Sequence, residues 1–249
     1  MEEITSVNNQ LVKETAKLQQ KKHRDVEDKF ILEGFKAIEE AVKSGIDVEY
    51  IFLLPQKAER YNFYNGRKIL TNEAVLKKIS ETNTPPKAVG IAKQKHYTKS
   101  DFKGLKRVML LEGIKDLGNL GTILRTACAF YVDGIILYGN CADLYSPKCV
   151  RSAVGNLWKL PVLYTNEPED LKELFSDYQR IATLPLAQTT LKDFKPQEKY
   201  LVMFGSEADG LSDTLKSFST DAVKIEMSSS VESLNLAISC AVMMYKLNI

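Results

Sequence analysis

No apolar run in this chain reaches the roughly 18 residues that a helix needs to cross a bilayer. The opening residues, Met1-Glu2-Glu3-Ile4-Thr5-Ser6, lack a basic stretch followed by an apolar one, so export is not expected. Cysteine is scarce, with four in 249 residues, and Cys128, Cys141, Cys149 and Cys240 show no Cys-x-x-Cys spacing. That disfavours a zinc knuckle or a redox pair, and the four read as reduced, buried thiols of a cytoplasmic protein without a membrane partner. Internal repeats and low-complexity tracts are missing as well. Net charge is small, +2, yet it is unevenly divided. Residues 1–105 hold 19 Lys/Arg against 15 Asp/Glu, whereas residues 106–249 hold 15 against 17. A modest polyanion-binding surface in the N-terminal part explains the excess, and so does a solvated lysine-rich face.

What is present is ordinary for a globular chain: 44% apolar and 27% charged residues, and enough length for one large or two modest domains. From residue 108 onward, short β-branched runs alternate with helical periodicity, which predicts a parallel α/β sheet. Strands are predicted at 108–111, 134–138, 162–164, 180–184, 200–204 and 222–226, and helices at 120–130, 169–178, 211–217 and 232–246. In the last helix Leu234, Ala237, Ile238, Ala241, Val242 and Tyr245 share one face. The N-terminal part is smaller and also mixed α/β, with helices at 9–21, 35–44 and 72–79 and strands at 49–54 and 88–92. The polar stretch 95–106 reads as a linker. Two domains follow, 1–98 and 106–249.

Three polar clusters each come directly after a predicted strand, where open α/β sheets bind ligands. The first runs from Glu112 to Ala127, with Asn119 on a glycine-bearing turn and Arg125 about two turns into a mostly apolar helix. Burying an unpaired guanidinium is costly, so Arg125 is either functional or held in a buried ion pair, with Glu207 the candidate partner. The second, Gly205-Ser206-Glu207-Ala208-Asp209-Gly210-Leu211, permits close backbone approach to a flat ligand. It also serves as a plain strand-to-helix connector, and it is not a Gly-x-Gly-x-x-Gly fingerprint. The third, residues 225–237, leads three serines into a helix whose first turn holds Glu232, Ser233 and Asn235. Capping by Ser229 or Ser230 and a helix-dipole role for Glu232 cover most of it, but not Asn235, a poor helix former.

Together the three clusters resemble the motifs of the SpoU/TrmH family of SPOUT RNA methyltransferases: Asn-x-Gly-x-x-x-Arg (Asn119 to Arg125), Gly-Ser-Glu-x-x-Gly-Leu (Gly205 to Leu211) and Glu-Ser-Leu-Asn (Glu232 to Asn235). Tyr145-Ser146-Pro147-Lys148 and Arg151-Ser152-Ala153-Val154-Gly155 resemble the family's middle segment. Residues 4–13 and Phe30-Ile31-Leu32-Glu33-Gly34 resemble its N-terminal RNA-binding extension. The family often carries Pro at Leu117, Gly at Tyr131 and Ala208, and Pro at Glu226, so these positions depart from its pattern.

The resemblance implies an α/β fold with a C-terminal trefoil-knot methyltransferase domain and a smaller N-terminal α/β RNA-binding domain. It implies S-adenosylmethionine as cofactor, RNA (ribosomal rather than transfer) as substrate, a homodimer, and methylation of a ribose 2′-hydroxyl. Arg125 is then the central catalytic residue, with Asn119 and Asn235 as positioners, Glu207 orienting Arg125, and Ser233 completing the pocket. Gly205, Ser206, Gly210, Ile225, Met227 and Leu234 are the cofactor contacts, with Thr183 and Leu184 lining the same cleft. Lys21, Lys22 and Arg24 grip RNA phosphates. A base-modifying knot methyltransferase and a non-catalytic RNA-binding relative are the rival readings; the first should lack the Asn119/Arg125 pair and the second should lose polar motif residues.

Overall fold

The computed structural model describes residues 2–231 and 233–248. By internal contacts the chain divides into two units, Met1–Lys95 with Asp143–Trp158, and His96–Ala142 with Lys159–Ile249.

The first unit contains β1 (Glu2–Glu3), α1 (Gln10–Lys17), α2 (Lys21–Glu27), β2 (Lys29–Glu33), α3 (Phe35–Lys43), β3 (Val48–Leu53), β4 (Arg67–Leu70), α4 (Glu73–Ile79) and β5 (Ala88–Lys93), with a 3-10 helix at Pro55–Tyr61. Its five strands lie in the order β1-β4-β3-β5-β2, and Ile31, Phe52, Ile69, Leu76 and Ile91 form its fully buried core. The predicted helix 9–21 ends at Lys17, and a second helix starts at Lys21. Asn9 caps α1 by accepting from Leu11 N, and the chain is extended at Gln20 before α2 begins. The break turns Arg24 inward. Its guanidinium donates to Leu18 O and Gln19 O, both at 2.7 Å, satisfying carbonyls left open at the end of α1.

The second unit begins with a 3-10 turn, Lys99–Phe102, inside the stretch read as a polar linker. Phe102 is buried there, and Lys99 pairs with Asp170 and Glu173. Next come β6 (Arg107–Glu112), α5 (Leu117–Ala129) and β7 (Gly134–Tyr138). The chain then returns to the first unit for 143–158, where α6 (Pro147–Ala153) packs on β2. Ser146 and Pro147 hold the N-cap and first-turn places of α6, a start signal already legible in the sequence. Back in the second unit are β8 (Val162–Thr165), α7 (Pro168–Phe175), β9 (Gln179–Thr183), β10 (Thr189–Thr190), β11 (Tyr200–Phe204), α8 (Asp213–Phe218), β12 (Asp221–Lys224) and α9 (Leu236–Asn248).

Its seven strands are all parallel, in the order β10-β12-β9-β11-β6-β7-β8. Central strands such as Tyr-Leu-Val-Met-Phe of β11 are buried at every residue, as a sheet covered on both faces requires. Strand order reverses beside β6: β7 and β8 extend one way, β11, β9 and β12 the other. The crevice for ligands in such a sheet lies at the carboxyl ends of the strands at the reversal. The turns after β6, β11 and β12 are the segments that hold the three polar clusters.

Candidate active site

The first cluster leaves β6 at Glu112 and enters α5. Asp116 is the N-cap, accepting from Asn119 N at 2.7 Å. Asn119 therefore stands in the first turn with its side chain fixed from two sides. Its Nδ2 donates to Glu207 Oε1 at 2.7 Å, and its Oδ1 accepts from Asn235 Nδ2 at 3.1 Å. Asn235 in turn caps α9, its Oδ1 accepting from Ala237 N at 2.9 Å. One hydrogen-bond chain, Glu207–Asn119–Asn235, thus ties all three clusters together.

The structure alters three sequence expectations here. The cap of α9 is Asn235, not Ser229 or Ser230, which explains why a poor helix former opens that helix. Glu232 lies outside the described residues. Glu207 orients Asn119 rather than Arg125, because α5 carries Arg125 about 9 Å along its axis and roughly 240° around from Asn119. Arg125 is exposed, neither buried nor ion-paired, and no described residue accepts a hydrogen bond from it.

The turn after β11 doubles back on itself. A Cβ on Gly205 would lie 1.9 Å from the Gly210 carbonyl carbon and 2.1 Å from Leu211 N, so only glycine fits. Gly210 has φ +67°, a conformation that glycine adopts freely. Ser206 Oγ accepts from Asp209 N, and Glu112 Oε2 accepts from Ser212 N at 2.7 Å, pinning both ends of the turn. Asp116 and Glu112 escaped the sequence reading; the Asp-x-x-Asn spacing at the start of α5 is a capping signal that would have exposed the first.

Beside this turn lies a cleft of about 630 Å³. Thr183, Leu184, Gly205, Ser206, Gly210, Ile225, Met227 and Leu234, the expected cofactor contacts, all line it, together with Glu207, Ser233 and Asn235. Asn119 touches it through Glu207 and Asn235, whereas Arg125 does not line it. Pro185, Phe204 and Val223 add apolar wall. Thr183 Oγ1 donates to Met203 O, so its hydroxyl can only accept. The main-chain N–H groups of Ile225 and Leu234, two of the lining residues, donate to no described residue. Size, apolar wall and a few convergent polar groups describe a small-molecule site.

Thiol chemistry finds no support. Burial pushes Cys128 up to about 11 and holds Cys141, Cys149 and Cys240 above the usual thiol range, so none is a thiolate at neutral pH.

In the first unit, Lys21 is exposed and ion-paired with Asp25, and Lys22 is exposed. Arg24 departs from the expected RNA contact. It is 3% exposed, and Asp143 takes its Nε and Nη2 while backbone carbonyls take its Nη1. Every face of the guanidinium is committed inside the fold, leaving none for phosphate.

The SpoU rRNA Methylase family matches residues 106–245, and the MRM3-like substrate binding domain matches residues 9–90. A tRNA/rRNA methyltransferase of Synechocystis, described as uncharacterized, is 35% identical, the alignment covering 98% of this chain and 92% of that protein. The 23S rRNA (guanosine(2553)-2′-O)-methyltransferase of Bacillus subtilis is 29% identical over 99% of both chains. The AdoMet-bound rRNA methyltransferase of Sinorhizobium meliloti superposes with a TM-score of 0.89 at 29% identity, covering 98% of this chain and 96% of that one.

Proposed function

The chain belongs to the SpoU rRNA methylase family, and from that premise we propose that it is an S-adenosylmethionine-dependent enzyme methylating a ribose 2′-hydroxyl of ribosomal RNA. The observation that carries this reading is the Glu207–Asn119–Asn235 chain at the edge of the cleft. It joins the three family motifs into one polar ridge beside a pocket suited to a long ligand with a flat, apolar end.

The residues present fit S-adenosylmethionine. Leu184, Phe204 and Val223 offer apolar surface for its adenine, and the N–H groups of Ile225 and Leu234 offer donors for its edge or its carboxylate. When bound, it supplies a methyl group already activated on a sulfonium. What remains for the protein is to place the ribose hydroxyl and to ease loss of its proton. A guanidinium is a poor base at its normal pKa. Arg125 therefore acts by charge, holding the neighbouring phosphate and stabilising the developing alkoxide, while the proton leaves to phosphate or water. Glu207, by accepting from Nδ2, fixes the orientation of the Asn119 amide. Asn119, Asn235 and Ser233 then form the hydrogen-bonding rim that positions the ribose.

Residues 1–98 grip RNA, with Lys21 and Lys22 contributing from the exposed side of α2, and residues 106–249 carry out the transfer. The match of a substrate binding domain to 9–90 supports this division. The working form is a homodimer. Ile238, Val242 and Tyr245 stand 51%, 38% and 57% exposed along one stripe of α9, an apolar face that a second copy would cover. Arg125, outside the cleft of its own chain, also calls for a second copy to complete the site. Among the described residues no helix is long and apolar enough to cross a membrane. Four free cysteines agree with a cytoplasmic setting.

The test uses the chemistry of the product. Alkali cleaves RNA through attack of the 2′-hydroxyl on the adjacent phosphate, and a methyl on that oxygen blocks the attack. Ribosomal RNA labelled from radioactive S-adenosylmethionine is expected to yield a labelled, alkali-resistant dinucleotide. Label in ordinary mononucleotides would mean base methylation and would overturn the reading.

A further inference from the structure

The first unit carries a cluster that methyl transfer does not use. The 3-10 helix Pro55–Tyr61 turns once in three residues, so positions three apart eclipse along it. Ala58 and Tyr61 lie on the ridge that packs inward, Tyr61 being 2% exposed. Lys57 and Arg60 share another ridge, both exposed. Two like charges on one ridge repel, and no described carboxylate pairs with either of them.

Against this ridge stands an aromatic corner. The Phe35 and Phe63 rings meet edge to face with centroids 5.6 Å apart, and both rest on buried Tyr61, at 5.4 and 5.9 Å. Both are half-buried, with Tyr61 against each and Arg60 over Phe35, which leaves the exposed part of Phe63 as the uncovered aromatic surface. The Arg60 guanidinium carbon sits 3.8 Å from the centre of the Phe35 ring, at stacking distance. Covering an aromatic ring is a common, purely structural use of arginine. Arg67 over Tyr50 and Arg180 over Phe218 are such cases, at 5.7 and 4.7 Å. Those two guanidiniums, however, hold protein acceptors: Glu2 for Arg67, and the carbonyls of Phe218 and Ser176 for Arg180. Arg60 alone of the three is pinned on a ring with no described acceptor for its five N–H donors.

We infer that this corner is a stacking site for one unpaired nucleotide of the RNA substrate. The base lies on the open aromatic surface beside the Arg60 plane, and the adjoining phosphate sits between Lys57 and Arg60. An unpaired nucleotide suits the corner because a duplex hides its base faces, whereas single strands stack on aromatic rings and guanidinium planes. The cationic ridge supplies the matching charge. The inference rests on the RNA methyltransferase reading above and adds to it where the first unit reads single-stranded character.

The test compares full-length protein with Arg60→Ala, Arg60→Lys, Lys57→Ala and Phe63→Leu. The probes are a short fluorescein-labelled single-stranded RNA and the same RNA annealed to its complement. Arg60→Ala and Phe63→Leu are expected to weaken single-strand binding by about 5- to 100-fold. Phe63→Leu should change duplex binding by no more than about twofold, since it removes no charge. Arg60→Lys should keep the wild-type salt dependence without recovering affinity, because it keeps the charge and loses the plane. Lys57→Ala should lower the salt slope by about one phosphate contact. S-adenosylhomocysteine affinity is expected to stay at the wild-type value, because the two sites share no residue, and thermal melting verifies that each variant is folded at the assay temperature. Single-strand binding at wild-type strength in Phe63→Leu and Arg60→Lys overturns the inference, as does an equal loss on both RNAs. If instead wild-type protein binds no S-adenosylhomocysteine and methylates no ribosomal RNA, the failure belongs to the reading of the transferase site.

Discussion

Asn235 serves two purposes with one side chain. Its carbonyl caps α9 and its amide reaches Asn119, so helix start and active-site geometry depend on the same amide. Arg125 is the opposite case, since none of the described residues holds it. A residue that owes nothing to the fold can be removed without harming it. Arg125→Ala is therefore expected to leave folding and S-adenosylhomocysteine affinity near wild type while single-turnover methylation falls by about 10²-fold or more, the scale of losing a charge that acts only in the transition state. Calorimetry and rapid-quench assays separate the two effects, and near-normal turnover would remove Arg125 from the mechanism. Tyr131 illustrates a local conflict. It has φ +58° just beyond the end of α5, where helices favour glycine.

At the scale of elements, the loop after β11 is the most constrained part of the cleft. Its backbone crosses itself between Gly205 and Gly210 at a distance that no side chain tolerates. Gly205→Ala must push apart the strand end and the start of α8, and with them the lining of the pocket. We expect S-adenosylhomocysteine binding to fall below calorimetric detection, with a loss of about 3 kcal/mol in stability, the upper part of the usual range for strained backbone sites. Binding and urea midpoint both at wild-type values would show that the loop can open at little cost.

For the whole molecule, the chain crosses between its two units three times, at 95–96, 142–143 and 158–159. Segment 143–158 lies within the transferase half of the sequence, yet it is buried in the first unit. Tyr145 packs on Phe30 at 4.8 Å, Arg151 pairs with Glu33 at 2.8 Å, and Asp143 holds Arg24. A fragment of residues 106–249 keeps every residue of the cleft but loses the partners of this segment, exposing Leu144, Tyr145, Val150 and Leu157. That fragment is expected to bind S-adenosylhomocysteine, to bind the dye ANS where the full chain does not, and to methylate RNA poorly. A fragment as active as the full protein would refute both the RNA grip and the structural part assigned to 143–158.

The parallel sheet and the membership of the three polar clusters were determined by the sequence alone. Buried parallel strands need unbroken apolar runs, and such runs survive any packing arrangement. The eight residues expected to touch the cofactor line one cleft, and they were legible because they sit where strands end. Tertiary structure decided what depends on direction. Arg24 and Lys22 look alike in a basic tetrapeptide, but a break at Gln20 sends one into the core and leaves the other in water. Glu207 was expected to pair with Arg125, and the pitch of α5 gave it Asn119 instead. The place of 143–158 was illegible for the same reason: its apolar residues announce burial, but no local pattern says against which surface, because the surface that covers them is built by residues more than a hundred positions earlier.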